Sequence, residues 1–211
     1  MVRVSICCRN TKFNEQVRGT PASGKSILAA LLAKHIQCVT SQAPVFINGR
    51  ANRNTPWHVR LERAGLSLEA ERTQYLIIDE GQTSYWDQDF YMSFIKPLNH
   101  FLHYRVVIFT GYGGVRNEVE LEGDHIYKTT PIVIPPSQCI ALQPSADGDL
   151  GPVGLLLSRH EYDEMYKKFY PPIQLEDTLY HEIYQITAGH AGAVHDLFYL
   201  ISCHSVRPHC P

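Results

Sequence analysis

The stretch Gly19-Thr20-Pro21-Ala22-Ser23-Gly24-Lys25-Ser26 constrains this chain more than any other. It fits G-x-x-x-x-G-K-[ST] and runs straight into Ile27-Leu28-Ala29-Ala30-Leu31-Leu32-Ala33. Glycines at both ends let a loop curl tightly, so that its backbone N–H groups converge on an anion. The apolar run reads as a buried helix over Lys25–Ile36, whose N-terminus adds its own positive end to the loop. Such a loop links a strand to a helix, yet Phe13-Asn14-Glu15-Gln16-Val17-Arg18 is only marginally apolar for the strand it requires.

Other segments alternate between strand and helix. Val45-Phe46-Ile47 is a short strand stopped by Asn48-Gly49. Tyr75-Leu76-Ile77-Ile78 and Arg105-Val106-Val107-Ile108-Phe109 are apolar and rich in β-branched residues, as in strands covered on both faces. Between them, Asp87 to Leu102 carries Phe90, Phe94 and Phe101 on one helical stripe. Tyr91, Ile95, Leu98 and Leu102 lie beside it, and Pro97 should kink or break the helix. Cys139-Ile140-Ala141-Leu142 reads as a last strand.

After about residue 150 the pattern becomes purely helical. Ser158-Arg159-His160-Glu161 matches a capping box and opens a helix with Tyr162, Met165 and Phe169 on one side. A second helix groups Leu179, Ile183 and Ile186 and ends at Gly189, and a third carries Val194, Leu197, Phe198 and Ile201. The expected organisation is an α/β core with a parallel sheet over residues 1–150, a helical lid over 151–205 and a tail over 206–211.

Composition narrows the partners. Nineteen basic against 21 acidic residues give a net charge of -2, without the basic surplus of a dedicated nucleic-acid binder. No apolar run reaches the roughly 18 residues that span a bilayer, and the opening Met1–Arg9 is too short for a signal-peptide core. An intracellular, cytoplasmic or nuclear protein without a membrane segment is therefore expected. The six cysteines are scattered, which suggests reduced thiols. Cys203-His204 with His209-Cys210 imitates a zinc site without the spacing of a common finger.

Two further clusters bear on chemistry. Asp79-Glu80 ends an apolar strand, where open α/β sheets gather ligands. On its own the pair describes an acidic turn; fifty-odd residues after a phosphate-type loop it points to metal binding and general base catalysis. Thr110-Gly111 ends the next strand, so Thr110 either orients a ligand or merely closes a turn. The glycines of Gly111-Tyr112-Gly113-Gly114 permit a mobile loop there.

In this order the three elements resemble the P-loop NTPases of the additional-strand, catalytic-glutamate division, which includes the AAA+ and STAND ATPases. The resemblance implies strand order 5-1-4-3-2, with the Thr110 strand between the other two. It implies that Gly19, Thr20, Pro21, Ala22, Ser23, Gly24, Lys25, Ser26 and Ile27 bind ATP. Ser26 and Asp79 then hold Mg2+, Lys25 reaches the β- and γ-phosphates, Glu80 activates water and Thr110 senses the γ-phosphate. The lid is similar to that of STAND-like ATPases, although Ala191 replaces the proline of their Gly-x-Pro turn. That turn lies near the base in such ATPases, and its contact would fall to His190; the other reading, favoured by the missing proline, is a turn glycine at Gly189 with an incidental His190.

A narrower likeness lies in Ile77-Ile78-Asp79-Glu80-Gly81-Gln82-Thr83-Ser84-Tyr85-Trp86-Asp87, with Phe94-Ile95-Lys96 and Tyr112-Gly113 downstream. This resembles the NTPase module of Crinkler-type and retrotransposon-hot-spot-like proteins, with Gly81 in place of the usual alanine. Such modules are commonly joined to an effector domain, and 211 residues is the size expected of the NTPase part alone.

Arg50, Arg53, Arg60 and Arg63 form either a solvated basic surface, an arginine finger for a neighbouring subunit, or an acceptor site. Arg159 lies too early on its helix for a sensor. The expected activity is magnesium-dependent ATP hydrolysis used as a conformational switch or for assembly, with a homo-oligomer or a protein as partner. The alternatives are a non-hydrolysing nucleotide-binding interaction module and a small-molecule or nucleotide kinase.

Overall fold

Two apolar strands buried on both faces set the architecture. Strand β3 (Gln74–Asp79) pairs in parallel with β4 (Tyr104–Gly111), with Leu76 opposite Val106 and Ile78 opposite Ile108. Successive side chains of a strand point to opposite faces. Leu76, Ile78, Val106 and Ile108 therefore join one core cluster, and Ile77 and Phe109 join another on the other face. Both faces are covered, which is why these strands read as continuous apolar runs.

The computed structural model describes residues 14–49, 54–69, 72–100, 103–111, 131–135, 138–140, 154–170 and 173–205. Besides β3 and β4, the sheet contains β1 (Asn14–Gly19), β2 (Val45–Asn48) and the two-residue β5 (Cys139–Ile140). Its order is β2-β3-β4-β1-β5, with every pairing parallel. Read from the other edge this is 5-1-4-3-2, and β4 lies between β1 and β3.

Helix α1 (Lys25–Thr40) packs on one face through Lys25, Ala29, Leu32 and Ile36, a stripe with helical spacing. The uniformly buried helix expected from its composition is not what forms. Ile27 and Leu31 are 69% and 54% exposed because only one side of α1 meets the sheet. The opposite sheet face carries α2 (Trp57–Arg63) and the aromatic segment after β3. By sequence pattern that segment is a helix kinked or broken at Pro97, and it folds as a π-helix over Phe90–Ile95 followed by a 3-10 helix over Lys96–His100. The wider π turn brings Phe90, Tyr91, Phe94 and Ile95 all into the core. The change of helix type falls at the residue before Pro97. Phe101, Leu102, Ala141 and Leu142 lie outside the described residues.

Strand β1 forms despite its polar sequence because its polar groups find partners. Gln16 is fully buried, and its Nε2 donates to Thr110 Oγ1 at 3.2 Å and to Tyr85 Oη at 3.3 Å. Its Oε1 accepts from Arg18 Nε at 2.7 Å. Buried polar groups cost stability mainly when a partner is removed, so Gln16→Leu should lower unfolding stability by about 1–3 kcal/mol in urea titrations. A Gln16→Leu protein as stable as the parent would show that the network contributes nothing.

The C-terminal helices are α3 (Arg159–Phe169), α4 (Asp177–Thr187) and α5 (Ala191–Ser205). Both hydrogen bonds of the Ser158–Glu161 capping box are present. The helices enclose their own cluster of Tyr162, Ile183, Val194 and Phe198, with Leu197 and Ile201 packed against it. Phe169, Leu179 and Ile186 are exposed instead of joining it. Tyrosine rings from α3 and α4 occupy that space, and Phe169 lies under the Lys168 ammonium. A turn through Ala188 and Gly189, both left-handed, links α4 to α5. Among the described residues, no helix is long and apolar enough to cross a membrane.

Candidate functional site

Strand β1 ends at Gly19, and the chain turns through Thr20–Gly24 into α1. Ala22 (φ 59°) and Gly24 (φ 85°) both adopt left-handed backbone, and Gly24 caps the helix. Alternating backbone of this kind turns successive N–H groups toward one side. A Cβ at position 19 would come within 2.5 Å of Ser23 Oγ and 2.7 Å of Leu155 Cδ1, so a larger residue there would have to displace both side chains. Ser23 Oγ is itself buried without a hydrogen-bond partner among the described residues. An unmatched hydroxyl in a tight, amide-rich loop suits an anionic oxygen.

Lys25 is 8% exposed. Its Nζ donates to the carbonyl oxygens of Thr20 at 2.7 Å and Gly19 at 3.2 Å, which holds the ammonium at the loop mouth. Burial pushes its pKa below the usual lysine range, and the nearby Glu80 and Asp79 carboxylates oppose that shift. The same two carboxylates are the ones the sequence singles out. Ser26 is exposed at the start of α1, with Ile27 beside it.

Asp79 is buried at the end of β3, and its Oδ1 accepts from the Glu80 N–H at 3.0 Å. Glu80 has φ 53° and ψ 38°, a left-handed conformation that costs a non-glycine residue roughly 1–2 kcal/mol. A 3-10 turn, Gly81–Ser84, follows at once. It returns Gln82 to the site, where Gln82 Nε2 donates to the Glu80 carboxylate and Gln82 Oε1 accepts from the Gly111 N–H at 2.9 Å. Gln82 thus links Glu80 to the end of β4. Sequence reasoning gave it no role, although it stands in the run that carries the narrower resemblance.

Thr110 lies opposite Arg18 in the β1–β4 register, and it is 1% exposed. Its hydroxyl is engaged by Gln16 and by Tyr85, whose phenol is pushed above its ordinary pKa by burial. The structure therefore places Thr110 in the network behind the site, with the Gly111 amide and Gln82 in front of it.

No family model matches this chain, and no curated protein matches it. The site must be read from its own geometry.

The helical segment contributes more than its sequence suggested. His190, expected to be incidental, has its Nε2 2.8 Å from Thr20 Oγ1. Its Nδ1 accepts from the Ala193 N–H at 3.3 Å, so Nε2 carries the proton and donates to Thr20. The Gly192 N–H donates to the Ala22 carbonyl at 3.1 Å, giving a second link to the same loop. Arg159 faces away: it pairs with Asp163 at 3.2 Å and lies over the rings of Tyr180 and Tyr184.

Of the four arginines after β2, Arg60 is bound to Asp87 at 2.6 Å and Arg63 is exposed. Arg50 and Arg53 lie outside the described residues, as do Tyr112, Gly113, Gly114 and the tail cysteine and histidine. A half-buried Arg60 tied to its own chain is unsuited to reach a neighbouring subunit. Cys38, Cys139 and Cys203 are free thiols. Among the described residues, no three His, Cys, Asp or Glu side chains gather as metal ligands.

Proposed function

We propose that the chain is a P-loop module of AAA+/STAND type that binds ATP with magnesium and hydrolyses it, using the nucleotide as a conformational or assembly switch. The reading includes kinship with Crinkler-type NTPase modules. The observation that carries it is the buried Lys25 ammonium, held at a glycine-framed loop and under the electrostatic influence of both Asp79 and Glu80. A nucleotide triphosphate uses all of these groups at once.

On this reading, the free backbone N–H groups of the loop between Gly19 and Ile27 (Pro21 has none) and the unpaired Ser23 hydroxyl receive phosphate oxygens, with the N-terminal end of α1 behind them. Lys25 exchanges its Gly19 and Thr20 carbonyl partners for phosphate oxygens. Ser26 and Asp79 are the residues that would hold magnesium, which keeps several waters and takes its other ligands from the phosphates. Bound there, the ion would neutralise charge developing on the phosphoryl group. Glu80 would accept a proton from water, with Gln82 fixing the carboxylate's position. Thr110 acts indirectly, by setting Gln16 and the end of β4. His190 and Gly192 would tie the helical segment to the loop, so that nucleotide binding and helix position depend on each other.

The direct test is ATP binding by the parent chain and Lys25→Ala, with oligomeric state recorded and GTP as competitor. Charged hydrogen bonds contribute about 1.5–3 kcal/mol each, so Lys25→Ala should weaken ATP binding by roughly two orders of magnitude. Equal affinity in the two proteins would overturn the reading. A dimer or ring formed only with ATP would support the assembly role.

A further inference from the structure

Beside the carboxylate end of β3 lies a cavity of about 170 Å³, distinct from the phosphate-type loop. Trp57, Leu61, Ile78 and Phe90 form apolar walls, and Asn48, Gly49 and Arg60 supply polar ones. Its placement follows from the sheet: β2 ends at Asn48, and the Gly49 N–H donates to the Asp79 carbonyl at 2.8 Å. The cavity therefore abuts the backbone that carries Asp79 and Glu80.

Its walls are fixed. Trp57 Nε1 donates to Asp89 Oδ2 at 2.7 Å, and the indole packs on Phe94 with ring centroids 5.3 Å apart. Arg60 Nη2 is anchored to Asp87 at 2.6 Å, and its guanidinium lies 5.8 Å from the centre of the Trp86 ring. The guanidinium also carries an unmatched donor: Arg60 Nε is buried and has no hydrogen-bond partner among the described residues. A buried donor of this kind is normally matched. An apolar cavity of about 150 Å³ accommodates a benzene ring, so this one is sized for a single six-membered ring.

We propose that this cavity is a binding site for a small monocyclic aromatic or cyclic carboxylate. The ring fills the space between Trp57, Leu61 and Phe90, and the carboxylate accepts from Arg60. An apolar body with one or two fixed polar contacts is the usual chemistry of a small-molecule site. The site stands apart from the nucleotide reading, since its groups are neither the loop nor the carboxylate pair. Through Gly49 it touches the strand end those carboxylates occupy, which places a bound ligand where it can alter them.

The test uses the full chain without nucleotide, with benzoate, toluene and benzylammonium as probes and the methyl NMR signals of Ile47, Leu61 and Ile78 as readout. Benzoate at millimolar concentration should shift these methyls saturably. Toluene should bind at least about tenfold more weakly, since it offers Arg60 no acceptor, and benzylammonium should not bind. Replacing Arg60→Met together with Asp87→Asn removes both charges at once and should abolish the preference for benzoate over toluene. No saturable shift with benzoate, shifts confined to other methyls, or toluene binding as tightly as benzoate would each overturn the proposal. The ligand series on the parent chain decides the matter even where the double variant folds poorly.

Discussion

Replacing Glu80 by glutamine should lower ATP turnover by about 10²–10⁴-fold while leaving ATP binding intact. The range corresponds to roughly 2.7–5.5 kcal/mol of transition-state stabilisation. The substitution keeps the size of the side chain and an oxygen that can accept from Gln82 Nε2, so the 3-10 turn at Gly81–Ser84 should persist. What it removes is the group that, on the proposed reading, takes a proton from water. Asp79, one residue earlier, cannot replace it, because its Oδ1 is already engaged by the Glu80 amide and its side chain is buried. Turnover and nucleotide retention measured on the same preparations separate the outcomes. Slow turnover with retained ATP supports hydrolysis through Glu80. ATP bound but not hydrolysed by either protein means a non-hydrolysing switch. Unaltered turnover in Glu80→Gln sinks the mechanism.

A second large effect is expected far from the carboxylates. Phe198 on α5 is fully buried, with the rings of Tyr162, Tyr166 and Tyr170 at centroid distances of 5.6, 5.3 and 4.9 Å. Truncating a buried phenylalanine costs about 3–5 kcal/mol, the upper part of that range where neighbours cannot close the space. Here the tyrosines resist collapse. Tyr162 Oη is tied to the Tyr180 carbonyl at 2.8 Å, and Tyr180 Oη to Asp163 at 2.6 Å. The three-helix cluster is separate from the two clusters that cover the sheet. Phe198→Ala should therefore raise hydrogen exchange in α3–α5 before it raises exchange in β3 and β4. It should also weaken ATP binding, since His190 and Gly192 lose their fixed positions against Thr20 and Ala22. A loss of less than about 1 kcal/mol in unfolding stability would contradict the packing described.

What the sequence made legible was local and periodic. The glycine-framed loop, the apolar runs of β3 and β4 and the Ser158–Glu161 capping box are each written in residues a few positions apart. The sheet order was not written in any of these residues and came only from what the resemblance to P-loop NTPases implies. The features that escaped notice are long-range. Gln16 meets Thr110 across 94 positions and His190 meets Thr20 across 170, and no local pattern marks either pair. The marginal appearance of β1 had a related origin: the buried Gln16 amide donates to Tyr85 and Thr110, far away in the chain. In the aromatic segment the stripe and the break at Pro97 were legible, but the pitch was not, because a π turn and an α turn draw on the same apolar residues.

The backbone at residue 80 has a consequence on an evolutionary timescale. A glutamate held left-handed is a steady liability to folding, whereas glycine or asparagine would sit there with less strain. Random substitution should erode such a residue wherever nothing maintains it. In descendants that keep the chemistry, position 80 should stay acidic against this pressure. In lineages that retain the fold but have abandoned turnover, it should be among the first positions to relax toward a small residue. On the proposed reading, the torsion angle of one residue's backbone thus makes this position a marker of whether a related gene encodes a hydrolysing protein.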